Sequence, residues 1–167
     1  MDFLQGWIVG ITGIEGTLVR PRWQREPGNI PEENITWIAF GILSRVSDVF
    51  AAELQLPSSP GYNELRRHEE ISIRVSFYGP EADNIAHLLR EGMQIGQNRE
   101  LLTLNNMGLI ESGDITSFPE LVKDKWYYRI DMTVRIRRQI VRQYGVPFIV
   151  SGQSTLDNEK YITQINV

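Results

Sequence analysis

Ile71-Ser72-Ile73-Arg74-Val75-Ser76-Phe77-Tyr78-Gly79-Pro80 is the stretch whose reading decides the fold. Up to Tyr78, apolar residues alternate with polar ones, the period of a strand with one buried face. At Gly79-Pro80 the period changes. Ala82, Ile85, Ala86, Leu89 and Met93 then recur at helical spacing, which predicts a main helix over about 80–95 with one apolar stripe. Pro80 suits a first helical turn, and Glu81 and Asp83 favour the positive end of the helix dipole. A half-buried strand running into an amphipathic helix is the unit of a sheet covered on one face.

Working outward, Thr36-Trp37-Ile38-Ala39-Phe40-Gly41-Ile42-Leu43 reads as a second strand, rich in aromatic and β-branched residues. Pro57-Ser58-Ser59-Pro60-Gly61 reads as a connection, and the central strand begins as early as Glu64. Residues 97–102 suit a second short helix, and Asn105, Asn106 and Gly108 mark a turn. From Trp126 to Val141 the alternation resumes, with Ile130, Met132, Val134 and Ile136 on one face and Arg129, Asp131, Arg135 and Arg137 on the other. It slips at Arg138-Gln139, where a bulge or bend is expected. At ~3.3 Å per residue such a strand would project beyond a small domain. Phe148–Val150 and Tyr161–Ile165 are candidate returning strands. Residues 1–35 carry Gly6, Gly10, Gly13, Gly16, Pro21, Pro27, Gly28 and Pro31. They read as a short helix or strand followed by an extended N-terminal arm. The expectation is an α+β fold: one domain over 1–167 with a mostly antiparallel sheet, the main helix on one face, a long projecting β-hairpin and the arm.

Composition limits the function. A chain of 167 residues with 41% hydrophobic and 23% charged residues is an ordinary globular domain. Cysteine is absent, which removes disulfides and thiolate metal sites. No apolar run reaches the ~20 residues of a membrane span. The first residues lack a basic segment ahead of an apolar one, so a cytoplasmic site of synthesis and action is expected. A net charge of −4 gives no general affinity for nucleic acid. Of 17 basic residues, 14 are arginine. Arginine, tryptophan and tyrosine are the residues of protein interfaces, where lysine is depleted. The composition therefore leans toward an assembly subunit, although codon bias in a GC-rich host gives the same excess.

Catalytic chemistry has little to stand on. His68 and His87 lie in no metal-ligand pattern, and there is no Gly-x-Ser-x-Gly. The glycines at 10–16 lack the Gly-Lys-Ser/Thr ending of a phosphate loop. No catalytic residue, metal or cofactor is expected. Two clusters carry the interaction reading instead. The first is Arg20-Pro21-Arg22-Trp23-Gln24, two arginines held extended by a proline beside an aromatic anchor. It either reaches a neighbouring subunit or folds over its own sheet. The second is the row Arg129, Arg135, Arg137 and Arg138, read as pairing with carboxylates of a neighbouring subunit or as a solvated face.

Gly13-Ile14-Glu15-Gly16-Thr17-Leu18-Val19-Arg20-Pro21-Arg22-Trp23-Gln24 resembles the opening of the phage neck (tail) terminator proteins of contractile-tailed phages. Trp37–Ile42, Phe77-Tyr78-Gly79-Pro80, Gln97-Asn98-Arg99-Glu100, Pro119–Val122 and Arg129–Met132 resemble later blocks of that family, in the same order. Glu15 departs from it, standing where a proline or small residue is expected. The resemblance implies a virion protein that forms a ring, typically a hexamer, on the finished tail tube. Such a protein stops tube growth, meets the last sheath ring, and docks the stopper (head-completion) protein. DNA passes through the lumen without specific binding, which an acidic subunit suits. Tyr78, Gln97, Asn98 and Arg99 join the interface set on this ground. Alternatives are another neck component, such as a stopper or tail-completion protein, and a small enzyme or nucleic-acid binder.

Overall fold

The computed structural model describes residues 2–25, 28–55, 61–122, 124–147, 151–153 and 164–166. In chain order the elements are α1 (Asp2–Thr12), a short 3-10 turn (Gly16–Leu18), β1 (Val19–Pro21), β2 (Trp37–Ser47), β3 (Ala52–Gln55) and β4 (Tyr62–Tyr78). They continue with α2 (Ala82–Gly92), α3 (Gly96–Leu104), β5 (Met107–Ser117), β6 (Glu120–Val122), β7 (Lys125–Tyr127), β8 (Arg129–Gly145), β9 (Ser151–Gln153) and β10 (Gln164–Asn166). They fall into two compact units, one of residues 1–49 and 67–140, the other of 50–66 and 141–167.

In the first unit the sheet order is β1-β2-β4-β8-β5. β2 pairs antiparallel with β4, and β5 with β8. Contacts between Glu70 and Arg135 and between Ser76 and Asp131 run in opposite senses along β4 and β8, so this pair is antiparallel too. Only β1 is parallel to its neighbour, with Val19, Arg20 and Pro21 opposite Ile38, Ala39 and Phe40. The fold is α+β. One face of the sheet is the core: Ile38 and Phe40, Ile71 to Phe77 at alternate positions, and Ile130, Met132, Val134 and Ile136 are all buried. The main helix is α2, and its Ala82, Ala86 and Leu89 cover this face together with Met93 beyond its end. Each large side chain so buried contributes about 1.5–3 kcal/mol relative to exposure.

Of the short helix or strand read at the start of residues 1–35, the helix is what forms. Residues 2–12 form α1, and Leu4, Trp7 and Ile8 lie in the core. Leu4, Trp7, Ile8 and Ile11 have the 3–4 spacing of a helix face, which Gly6 and Gly10 obscure in the sequence. Burial of Trp7 outweighs the helix cost of two glycines, about 1 kcal/mol each. Its indole Nε1 also donates to the Asn98 carbonyl at 2.8 Å. Val19–Pro21 is likewise a strand of the chain's own sheet.

Two smaller expectations also change. The strand expected from Trp126 is divided: β7 pairs with β6 as a separate ribbon, and β8 begins at Arg129. β8 runs as one strand through Arg138-Gln139, with Arg138 opposite Met107. Register shifts occur between Leu109 and Glu111 and between Ser112 and Ile115 in β5, and between Ile42 and Ser44 in β2. The alternation fades past Arg138 because residues 141–147 are exposed, so no buried face selects apolar residues there.

In the second unit β3 pairs antiparallel with the first part of β4, Ala52 opposite Arg66 and Gln55 opposite Asn63. The connection read at 57–61 joins these strands, though 57–60 lie outside the described residues. The Val146 N–H donates to the Gly61 carbonyl at 2.9 Å. β9 and β10 form an antiparallel pair. The returning strands expected at 148–150 and 161–163 lie outside the described residues, whereas 164–165 belong to β10.

Gly79, at the strand-to-helix switch, has φ +93°, and a Cβ there would stand 2.5 Å from the Ile35 carbonyl oxygen. Gly79→Ala should therefore lower stability by roughly 1–3 kcal/mol. Gly10→Ala, on α1 with nothing within 4 Å of the added Cβ, should raise it by roughly 0.5–1 kcal/mol. Urea unfolding of both variants checks the pair of signs.

Candidate functional site

The second face of the sheet, opposite the helices, holds Tyr78, Arg129 and the docked arm among the residues singled out in the sequence. Register places Trp37, Ala39 and Gly41 of β2 opposite Tyr78, Ser76 and Arg74 of β4. Trp37 and Tyr78 stack with ring centroids 4.2 Å apart and planes 7° from parallel. Beside them on β8, Asp131 is only 7% exposed.

Asp131 is the centre of a charged network. Arg129 Nε and Nη2 donate to its two oxygens at 2.8 and 2.6 Å in fork geometry. The same guanidinium reaches Glu120 Oε2 at 3.0 Å through Nη1. Ser76 Oγ donates to Asp131 and accepts from Arg22 Nη2, which also contacts the Tyr78 hydroxyl at 3.2 Å. Burial alone would raise the Asp131 carboxyl. The Arg129 and Ser76 hydrogen bonds and the Arg129 and Arg22 charges outweigh it, holding the carboxyl below its usual range. The Asp131 carboxylate in turn holds the Arg129 guanidinium above its ordinary value. Burial pushes the Tyr78 phenol up.

The arm lies on this network. Arg20 Nε and Nη1 donate to the Thr17 and Asn29 carbonyls at 2.8 and 2.7 Å. Pro21 sits in β1, and Arg22 is drawn onto Ser76, leaving its Nε buried without a partner. Trp23 has φ 56°, in the left-handed region that a tryptophan rarely occupies. Its ring passes over Gly41, where a Cβ would approach Trp23 Cζ3 to 2.5 Å. The indole remains 67% exposed, and Gln24 is exposed beside it. Between arm and sheet is a hollow of about 310 Å³. Adjoining it, a groove of about 520 Å³ is lined by Pro31, Trp37, Tyr78, Pro80, Trp126 and Tyr128, among others. The two share the stacked Trp37–Tyr78 pair.

The arginine row has carboxylate partners within the chain. Besides Arg129, Arg135 bridges Glu70 and Glu111 at 2.9 and 3.0 Å, and Arg138 Nε donates to Glu69 at 2.7 Å. Arg137 is 3.9 Å from Asp48. The reason is topological: an antiparallel sheet puts the carboxylates of β4 and β5 on either side of β8. The exposed pairs contribute at most about 1 kcal/mol each. Of the α3 residues, Asn98 serves the fold, donating to the Gly92 carbonyl at 2.8 Å, while Gln97 and Arg99 are exposed. Sequence reasoning put Ser76 and Asp131 on the polar faces of their strands but missed that they bond to each other, and it missed Trp126 and Tyr128 as parts of this face.

Among the described residues no group of three or more His, Asp or Glu side chains is placed to hold a metal ion. No helix of the described residues is long and apolar enough to cross a membrane. A family model described as phage neck terminator protein matches residues 1–159. No curated protein is detectably similar to the chain.

Asp131→Asn leaves Arg129 half-buried and short of its counter-charge, so it should cost roughly 3 kcal/mol at pH 7. The folded carboxyl titrates below its unfolded value of ~3.9, so its contribution is complete above that pH. It disappears as pH falls through the lower, folded value. The gap between wild type and variant should thus narrow below about pH 4 in pH-dependent unfolding. Arg22→Ala should cost about 1–2 kcal/mol, and Trp23→Ala less than about 0.5 kcal/mol. Thermal melts of the two single variants separate the arm's anchor from its exposed aromatic.

Proposed function

The chain belongs to the phage neck terminator proteins, structural components of the phage tail, and from that premise we propose that it caps the tail tube. In this reading six copies form a ring on the finished tube and meet the last ring of a contractile sheath. The ring ends polymerisation and presents its other side to the stopper protein, with DNA passing through the lumen. Assembly takes place in the host cytoplasm and the product is part of the virion neck. The observation that carries the reading is the extent of the family match, residues 1–159 of 167.

Three features support it. The groove of about 520 Å³ is aromatic and opens on a face rich in tryptophan, tyrosine and arginine, the composition of interface hot spots. The formal charge of −4, multiplied around a ring, keeps DNA from adhering to the conduit. The consecutive strands β3 and β4, antiparallel with Ala52 opposite Arg66 and Gln55 opposite Asn63, are the elements from which a projecting hairpin would be built.

Disruption of the gene in the parent phage should give filled heads beside separate tails, many of them longer than normal, in negative-stain micrographs. Separate tails of normal length would assign the protein to the stopper step instead. Normal virions would remove it from the neck.

A further inference from the structure

We propose that, in the ring, the aromatic groove of one subunit receives helix α3 of the next, with Leu101 and Leu104 entering between the Trp37–Tyr78 stack and Trp126. The inference rests on the terminator reading and names the contact that closes its ring.

The receiving surface is built but left uncovered. Trp126 is 70% exposed, Trp23 67% and Tyr128 50%, all on or beside one continuous concavity. Large aromatics left in water around a groove mark an interaction site rather than ordinary surface. The left-handed backbone at Trp23, with φ 56°, is the kind of strain kept at binding sites. It sets the ring over Gly41 and leaves the indole exposed beside the groove.

The inserting element is α3. This helix buries Leu102 alone. Leu101 and Leu104, one turn apart, are 46% and 80% exposed, and Ile95 just before the helix is 56% exposed. Two leucines at this spacing are the anchors of a helix laid into a groove. The charges match as well. Arg99 on α3 and Glu32 on the groove are both exposed, and neither has an ion-pair partner among the described residues. Glu33 beside it is already taken by Lys125 at 3.2 Å.

Location decides the symmetry. The groove belongs to the second face of the sheet, while α3 packs by Leu102 into the core on the first. A contact between two different patches of identical subunits is heterologous, the class that generates rings, whereas groove-to-groove contact would give closed dimers. In this arrangement the groove takes a second copy of this chain.

The absence of cysteine makes the test clean. Phage lacking the gene is complemented with Ile35→Cys/Leu104→Cys, and the purified particles are oxidised and run on a denaturing gel. Ile35 lines the groove, so a ladder of covalent oligomers is expected from the double variant and uncrosslinked monomer from each single variant. Independently, Arg99→Glu should lower the titre about tenfold or more, and adding Glu32→Arg should restore it. Covalent dimers from a single variant would overturn the heterologous contact. Joined virions with no ladder, and charge variants at wild-type titre, would overturn the α3 pairing while leaving the terminator reading intact. Normal virions without the gene would overturn both.

Discussion

The carboxylate of Asp131 is the constraint around which the second face of the sheet is arranged. A charge that is 7% exposed cannot remain without compensation, and its partners come from three separate parts of the chain. Arg129 supplies the fork, Ser76 the hydroxyl, and Arg22 the second cation through Ser76. The arm must therefore lie where Arg22 can reach β4. That placement sets Trp23 over Gly41 and leaves Trp37 and Tyr78 to stack alongside. The network thus does more to define a surface than to add stability, since a buried ion pair roughly offsets its own desolvation.

The two faces of the sheet divide the work. The helix-covered face supplies the cohesion, with alternate residues of β2, β4 and β8 buried against α1 and α2. The other face is polar at its middle and aromatic at its end, and the helices leave it open. An arrangement of this kind suits a subunit that associates with other tail proteins. The arginines illustrate the same economy. Arg135 and Arg138 are satisfied by carboxylates on adjacent strands, so the uncovered surface depends largely on aromatic area.

The strand and helix around Gly79, the second short helix and the resemblance to the terminator family were legible in the sequence because each rests on local signals. Alternation at Ile71–Phe77 needs only one buried face, and the period change at Gly79-Pro80 needs only the turn. α1 was legible only as a short helix or strand, because Gly6 and Gly10 interrupt the Leu4, Trp7, Ile8 and Ile11 stripe. The partners of the arginines were not legible at all. Glu69 and Glu70 lie more than sixty residues from Arg138 and Arg135, and only strand register brings them within 3 Å.

The sequence by itself determined the alternation of β4 and β8, the amphipathic character of α2, the absence of thiol chemistry and the family. These follow from side-chain period and residue type, properties carried by neighbours along the chain. Tertiary structure alone decided that the arm docks on its own sheet, that Asp131 gathers three arms of the molecule, and that Trp37, Tyr78, Trp126 and Tyr128 share one groove. Those depend on strand order and on which face each strand turns outward. Both are set by the cooperative burial of the core and cannot be read from any single segment.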